Sequence, residues 1–436
     1  MARPRPDPTD AYLSSRVRLG VKFGLETMRL LVDALGHPER AYPVLLVAGT
    51  NGKGSVAAYV DAVLRAGGLR VGRYTSPHLV RVNERIAVGG RDIGDRALRD
   101  AVERVRAAAE ALREGGAQAE PTFFEVLTAA ALVHFRRARV QAAVLEVGMG
   151  GRLDATNVTE PLCSAIVTVD HDHEAYLGDT LAAIAREKAG VLRHGRVTVL
   201  GPLSPEARQA VEQDAAEIGA RLRDASRDTE VRADTRQPSR MDLVTPRRTY
   251  RGLRPLPGVH QRANLAVAVR LLEEAREAGL AVDLRAVPRG VARTRWPGRL
   301  QPLAGRPSLL VDGAHNPAGA RALAAELRRR PAFVLVFGAM ADKDVGAMGR
   351  ALFPLARHVV LTQVREARAA SPDEIARRVG PAAESAHREP RVARALARAR
   401  RLAGPRGLVV VAGSLYLVGD VLRSASARRR GSRPRK

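Results

Sequence analysis

Residues 44 to 47, Val-Leu-Leu-Val, are apolar without alternation, which predicts a strand buried on both faces of a parallel sheet. Similar runs recur at 69–74, 141–145, 164–169 and 196–200, and again at 308–312, 332–337, 358–362 and 407–412. Between them the apolar positions are spaced three and four apart, predicting helices. One such pattern covers 11–36, with Leu25, Met28, Leu31, Val32 and Leu35 on one face; others cover 56–66, 95–113, 204–221 and a stretch ending near Ala278. Thr122 with Glu125 three positions on predicts a capping box opening the helix that carries Phe124, Leu127, Ala131 and Phe135. Residues 86–93 predict a small hairpin turning at Gly89-Gly90, and the polar, Arg-rich stretch 223–255 predicts hairpins or a flexible surface segment. Strands alternating with helices define an α/β protein.

At 436 residues the chain exceeds what one core usually serves, so two domains are expected. The Arg-Trp-Pro-Gly-Arg stretch 295–299 suits a linker, placing an N-terminal domain at 1–294 and a smaller one at 295–422. Residues 423–436 read as a basic, disordered tail. No run approaches the ~18 apolar residues of a membrane helix, and no apolar h-region follows the N-terminal charges. Cys163 has no cysteine partner for a disulfide, and the expected location is the cytoplasm. A net charge of +26 raises nucleic-acid binding, but the arginines are scattered and aromatic residues are only 3%, which argues against specific nucleic-acid recognition. Only five basic residues are lysine, namely Lys22, Lys53, Lys188, Lys343 and Lys436, so these mark places where guanidinium would serve poorly.

The chemistry gathers at strand ends. Gly49, Thr50, Asn51, Gly52, Lys53, Gly54 and Ser55 lie between a strand and a helix, where backbone N–H groups and a lysine can hold phosphate oxygens. The alternative is a tight turn that binds nothing. Ser76, held extended before Pro77, and Glu146, ending a strand, offer hard oxygen ligands for a magnesium ion bridging nucleotide phosphates. Two histidines, His171 and His173, follow the next strand; without cysteines they favour a second divalent ion near phosphates over zinc. Glu125 reads equally as a helix cap or a substrate contact. Asp312, His315 and Lys343 repeat the polar strand-end pattern in the C-terminal domain, which predicts a ligand between the domains.

The ordered series GTNGKGS, TSPHL, NERI, TFFE, EVGMGGRLDATN, DHDHEAYLGDT, REKAG, GVHQRAN, WPGR, DGAHNP, DKD and GSLYLVGD, spanning roughly 45–420, resembles the folate branch of the Mur ligase superfamily, the folylpolyglutamate and dihydrofolate synthases. The resemblance implies a P-loop-type, mostly parallel-sheet ATPase domain followed by a Rossmann-like α/β domain. It implies an ATP-dependent ligase that converts a pteroate or folate carboxylate to an acyl phosphate and joins L-glutamate to it. By resemblance, residues 49–55 with Asn264, Arg299 and Asp312 hold ATP. Ser76, Glu146, His173 and a carbamylated Lys188 hold two Mg2+ ions, and Lys53, Lys188, His315 and Lys343 serve catalysis. Thr122, Phe123, Phe124, Glu125, Leu153, Asp154 and Ala155 lie on the pterin side. The family implies a monomer with small-molecule partners and no membrane. A cell-wall Mur-type ligase and a basic nucleic-acid-binding ATPase are the alternatives.

Overall fold

The buried apolar runs become strands because both faces of each are covered. The computed structural model describes residues 8–20, 22–234, 237 and 239–431, and in it the chain folds as two units. The first holds the chain up to Ser76, Asn83–Pro255 and Ala263–Thr294; the second holds Pro77–Val82, Leu256–Arg262 and the chain from Arg295.

The first unit is built on eight strands: β1 (Val44–Ala48), β2 (Val71–Tyr74), β3 (Ile86–Val88), β4 (Arg91–Asp92), β5 (Ala142–Glu146), β6 (Cys163–Ile166), β7 (Val197–Leu200) and β8 (Arg221–Asp224). Their order is β4-β3-β2-β5-β1-β6-β7-β8. The six from β2 to β8 in that order are parallel, and the β3–β4 hairpin adds antiparallel to β2. Every residue of β1, β5, β6 and β7 is buried. From β1 the chain crosses to β2 on one side, and from β5 it crosses to β6 on the other, so the topological switch lies beside the carboxyl end of β1. The stretch 223–255 forms hairpins, the first of its two expected forms: β9 (Glu230–Ala233), β10 (Met241–Val244) and β11 (Thr249–Leu253) make a three-stranded antiparallel sheet.

The second unit contains β12 (Gln301–Leu303), β13 (Ser308–Val311), β14 (Phe333–Phe337), β15 (His358–Gln363), β16 (His387–Arg391) and β17 (Leu408–Ala412). Their order is β12-β13-β17-β14-β15-β16, with only β12 antiparallel. Side-chain alternation sorts its core: Leu310, Leu335, Phe337, Leu361 and Val410 fill one face, and Leu309, Val311, Val336, Val360 and Val411 the other.

Two expectations require correction. The pattern over 11–36 is two helices, Pro8–Val17 and Glu26–Ala34, because Gly20 (φ +64°) and Gly24 (φ +122°) break the chain between them. The stretch expected to be a disordered tail continues a helix, Leu415–Gly431, anchored by buried Leu417, Val418 and Val421 and extended by helix-favouring Ala and Arg. Residues 432–436 of that tail lie outside the described residues.

Candidate active site

The glycine loop is shaped by its backbone conformation, by the chain leaving β6 and by two of its own side chains, Thr50 and Lys53. Gly49 (φ +144°) and Gly52 (φ +84°) take conformations that suit glycine, and the helix Lys53–Ala66 starts immediately after Gly52. A side chain at Gly49 would meet the backbone of Val167 and Thr168 at 3.1 Å. The loop is tied to the chain leaving β6. Thr50 donates its N–H to the Thr168 carbonyl (2.8 Å), Asn51 donates its N–H to Thr168 Oγ1 (2.9 Å), and Thr50 Oγ1 accepts the Asp170 N–H (3.1 Å). Lys53 Nζ donates to the carbonyls of Gly49 (2.9 Å) and Thr50 (3.2 Å), so its amine closes over the loop. Asn264, expected among the nucleotide residues, sits against this turn: a Cβ on Gly52 would fall 2.4 Å from Asn264 Oδ1.

Parallel strands bring other predicted groups to the same sheet edge. Glu146 closes β5, is buried, and accepts the Ser76 N–H on Oε2 at 3.1 Å, joining the ends of β5 and β2. After β6, His173 takes a left-handed conformation (φ +56°) that is uncommon outside glycine and recurs at functional sites. Its N–H is held by Asp172 Oδ1 at 3.0 Å, and its Nε2 lies 3.9 Å from the same oxygen. His171 faces Glu174 instead, with Nδ1 to Oε1 at 2.8 Å. The buried carboxylate of Asp172 escaped the sequence reading, although the DHDHEAYLGDT motif contains it.

Lys188, on the helix Leu181–Ala189, is 2% exposed. Burial first, and then the charge of Lys53, push its amine down to about 7, while Asp172, Glu187 and Asp154 partly offset the shift. The GMGGRLD segment packs on this helix. Arg152 donates its N–H to the Glu187 carbonyl (2.9 Å), and a Cβ on Gly151 would lie 2.8 Å from that carbonyl oxygen. Asp154 is occupied by its own turn: it accepts N–H groups from Met149 and Thr156 and the Thr156 hydroxyl (2.6 Å), and burial raises its pKa. Ala155 is buried beside it, whereas Leu153 is exposed.

The capping box is formed: Thr122 Oγ1 accepts the Glu125 N–H, and Glu125 Oε2 accepts the Thr122 N–H at 2.7 Å. Glu125 Oε1 is buried and has no hydrogen-bond partner among the described residues, so the cap uses only half of this carboxylate. Phe124 pairs with Tyr74 (ring centroids 5.9 Å apart) and Phe123 with the Arg85 guanidinium (5.1 Å).

In the second unit, Asp312 follows β13 and accepts N–H groups from Leu300 and Ala314, both at 2.9 Å. Arg299 Nη1 donates to the Gly298 carbonyl, and His315 Nδ1 lies 2.8 Å from the Gly313 carbonyl, so Arg299, Asp312 and His315 share one strand end. Lys343 follows β14, with Nζ 3.9 Å from Asp342. Arg378 donates to the carbonyls of Ala341 (2.7 Å) and Lys343, clamping the turn that carries the lysine. No sequence signal marked Arg378.

Among the described residues no three His, Cys, Asp or Glu side chains converge as a ready-made metal cluster, and no helix is long and apolar enough to cross a membrane. Glu146 offers a hard carboxylate oxygen at the edge where the glycine loop lies, and His173 a borderline imidazole nitrogen after the neighbouring strand.

Residues 47–272 match the family described as "Mur ligase middle domain", and residues 298–415 the "Mur ligase, glutamate ligase domain". The chain is 40% identical over 422 residues to a probable bifunctional folylpolyglutamate synthase/dihydropteroate synthase of Haloferax volcanii, covering 94% of this chain and 49% of that one. It therefore spans about half the length of that curated relative. It is 32% identical over 419 residues to the dihydrofolate synthase/folylpolyglutamate synthase of Bacillus subtilis, covering 94% of this chain and 97% of that one. The solved structure of E. coli FolC in complex with DHPP and ADP superposes with a TM-score of 0.87 at 30% identity, covering 98% of this chain and all of that one. A bifunctional folylpolyglutamate synthase/dihydrofolate synthase with Mn, AMPPNP and L-glutamate bound gives 0.85 at 30% identity, with the same coverage.

Proposed function

The chain belongs to the Mur ligase family, in its folylpolyglutamate/dihydrofolate synthase branch, and from that premise we propose that it is an ATP-dependent ligase adding L-glutamate to dihydropteroate, to the glutamate tail of reduced folates, or to both. The observation that carries this reading is the glycine loop, residues 49–55, with Lys53 folded over it, on the sheet edge where Glu146 ends its strand, with Lys188 buried on the helix Leu181–Ala189 close enough for the Lys53 charge to act on its amine.

Each group has a task that its surroundings support. The loop from Gly49 to Ser55 holds the nucleotide phosphates, with Lys53 turning its charge from its own loop carbonyls onto them. Asn264, Arg299 and Asp312 hold the rest of the nucleotide. Ser76, Glu146 and His173 would hold divalent ions, magnesium in the cell, and such ions would neutralise phosphate charge during transfer. A neutral Lys188 can attack carbon dioxide: the N–C bond forms as one C=O π bond opens onto its oxygen, the nitrogen gives its proton to solvent, and the resulting carbamate would offer an additional oxygen ligand. Arginine at this position could not do so readily.

With the phosphates positioned, the substrate carboxylate attacks the terminal phosphorus and ADP leaves. The glutamate amine then displaces phosphate from the acyl carbon to give the amide. Lys343 and His315 act on this second half. Thr122 to Glu125 and Leu153 to Ala155 receive the pterin side, with Glu125 Oε1 able to accept an N–H from it. The protein works as a cytoplasmic monomer without a nucleic-acid partner. Incubation with ATP, magnesium, glutamate and either dihydropteroate or tetrahydrofolate should yield, with at least one of the two, a product carrying an added glutamyl group by mass spectrometry. Both pterins recovered unchanged would remove the reading.

A further inference from the structure

Four arginines gather at the edge of the first unit's sheet opposite the glycine loop. The parallel strands β6, β7 and β8 begin there, with Cys163, Val197 and Arg221 side by side in their register. Arg196 directly precedes β7, and its carbonyl accepts the Arg221 N–H (2.9 Å), so the two side chains leave from neighbouring strands. Arg223, two positions on, shares a face of β8 with Arg221. With Arg247, from the turn between β10 and β11, these three surround a cavity of about 300 Å3. Glu274 and Glu277, in the last turn of the helix His260–Glu277, complete its charged lining.

Two of the arginines belong to a fixed wall. Glu274 Oε1 lies 3.7 Å from Arg223 Nε and 3.1 Å from Arg247 Nη2, and Arg247 also reaches Glu277. Glu274 is buried and braced from behind by buried Arg270, 3.5 Å away, which pairs in turn with Glu273 (2.6 Å). The other two are uncommitted: among the described residues Arg196 and Arg221 make no ion pair and no side-chain hydrogen bond. Their charges fall on the floor of the cavity, where burial and then Glu274 raise the Cys163 thiol and Arg196 and Arg221 oppose the rise. Four arginines against two glutamates leave a surplus of positive charge, whose mutual repulsion an anion relieves. No aromatic residue lines the cavity, so it offers no stack for a nucleotide base. A guanidinium fork matches phosphate oxygens two at a time.

We infer that this cavity is a second anion site, which takes a phosphoryl dianion, inorganic phosphate or the phosphate of a small ester, on Arg196 and Arg221. It is separate from the nucleotide loop: Asn264 precedes Glu274 by ten residues on the same helix, about 15 Å along its axis. Glu277 competes with the anion for Arg247, so removing that carboxylate strengthens the site. The inference goes beyond the ligase reading and does not depend on it.

The test loads the full chain with magnesium and AMPPNP, so that the phosphate loop is filled, and then titrates it calorimetrically at constant ionic strength. The probes are inorganic phosphate, glycerol phosphate and the dicarboxylate malonate. One equivalent of a phosphoryl compound should bind. The double variant R196Q/R221Q, which alters two exposed side chains, should weaken that binding at least about tenfold, with circular dichroism and AMPPNP affinity unchanged. E277Q should tighten it about threefold. Tighter binding of the ester assigns a phosphorylated metabolite, and equal or weaker binding assigns the free ion. No saturable binding, an affinity that R196Q/R221Q leaves intact, a weaker E277Q, or malonate held as tightly as phosphate would overturn the site. Should AMPPNP fail to bind, the nucleotide reading falls, while the double variant still decides for the cavity. Turnover plays no part in the readout, so loss of this site and loss of the ligase reading are separate results.

Discussion

The Cα of Gly52 faces the side-chain amide of Asn264 so closely that a methyl group on Gly52 would lie 2.4 Å from Oδ1. One predicted nucleotide residue thus fixes the space available to another, and Gly52 is also left-handed at φ +84°. G52A is expected to cost on the order of 1–2 kcal/mol in backbone strain and to displace Asn264. The protein should remain folded while KM for ATP rises at least tenfold. Circular dichroism and ATP titration check the two halves; an unchanged KM would show that the loop does not depend on this contact.

Lys188 gives a pH prediction. Its amine titrates at about 7 folded and near 10.5 when free. Between these values the unfolded chain carries a proton that the folded one lacks, so this group makes metal-free stability rise with pH from about 7 to about 10.5. Below the lower value both states are protonated and its contribution is flat. Denaturant titrations of the unaltered protein and K188M should differ in slope across that window. A constant difference would contradict a depressed amine.

K188R tests the carbamate. Guanidinium keeps the charge but does not form the oxygen ligand, so kcat should fall about a hundredfold or more with the fold intact. Depleting carbon dioxide from the assay should slow the unaltered protein, and bicarbonate should restore it. Near-normal turnover by K188R would remove the carbamate.

The part of this site that was legible in the sequence is the part written in contiguous residues. The glycine loop, Glu146 and the Thr122–Glu125 box each combine an element boundary with its chemistry, so periodicity and spacing locate them. Among the strands that escaped, β8 (Arg221–Asp224), β12 (Gln301–Leu303) and β16 (His387–Arg391) are edge strands without the continuous apolar run that marks a covered one. The ties from Thr50 to Asp170 and from Arg378 to Lys343 join residues distant in sequence, and no local pattern announces them. The break between the first two helices was missed because apolar spacing ran through two glycines whose conformation outweighed it.

Glu125 can be split into its two uses. E125Q can still accept the Thr122 N–H, so stability should change by less than about 1 kcal/mol, whereas T122A should lose about 1 kcal/mol. If Oε1 receives a pterin N–H, E125Q raises KM for the pterin substrate and leaves that for ATP unchanged. Equal behaviour toward both substrates would reduce Glu125 to a cap.

Arg378 predicts an effect without substrate contact. R378A frees the turn around Lys343, and kcat should drop about tenfold while KM for ATP moves little. R378K should recover part of the loss. Identical kcat for all three proteins would show that the clamp does not position Lys343.

The central claim is tested most directly by magnesium-dependent phosphate release from ATP, with L-glutamate present and dihydropteroate, tetrahydrofolate or no pterin added. Release that requires both glutamate and a pterin is the predicted result, and the preferred pterin assigns the substrate. Release indifferent to every pterin would contradict the account and turn attention to cell-wall precursors or nucleic acid.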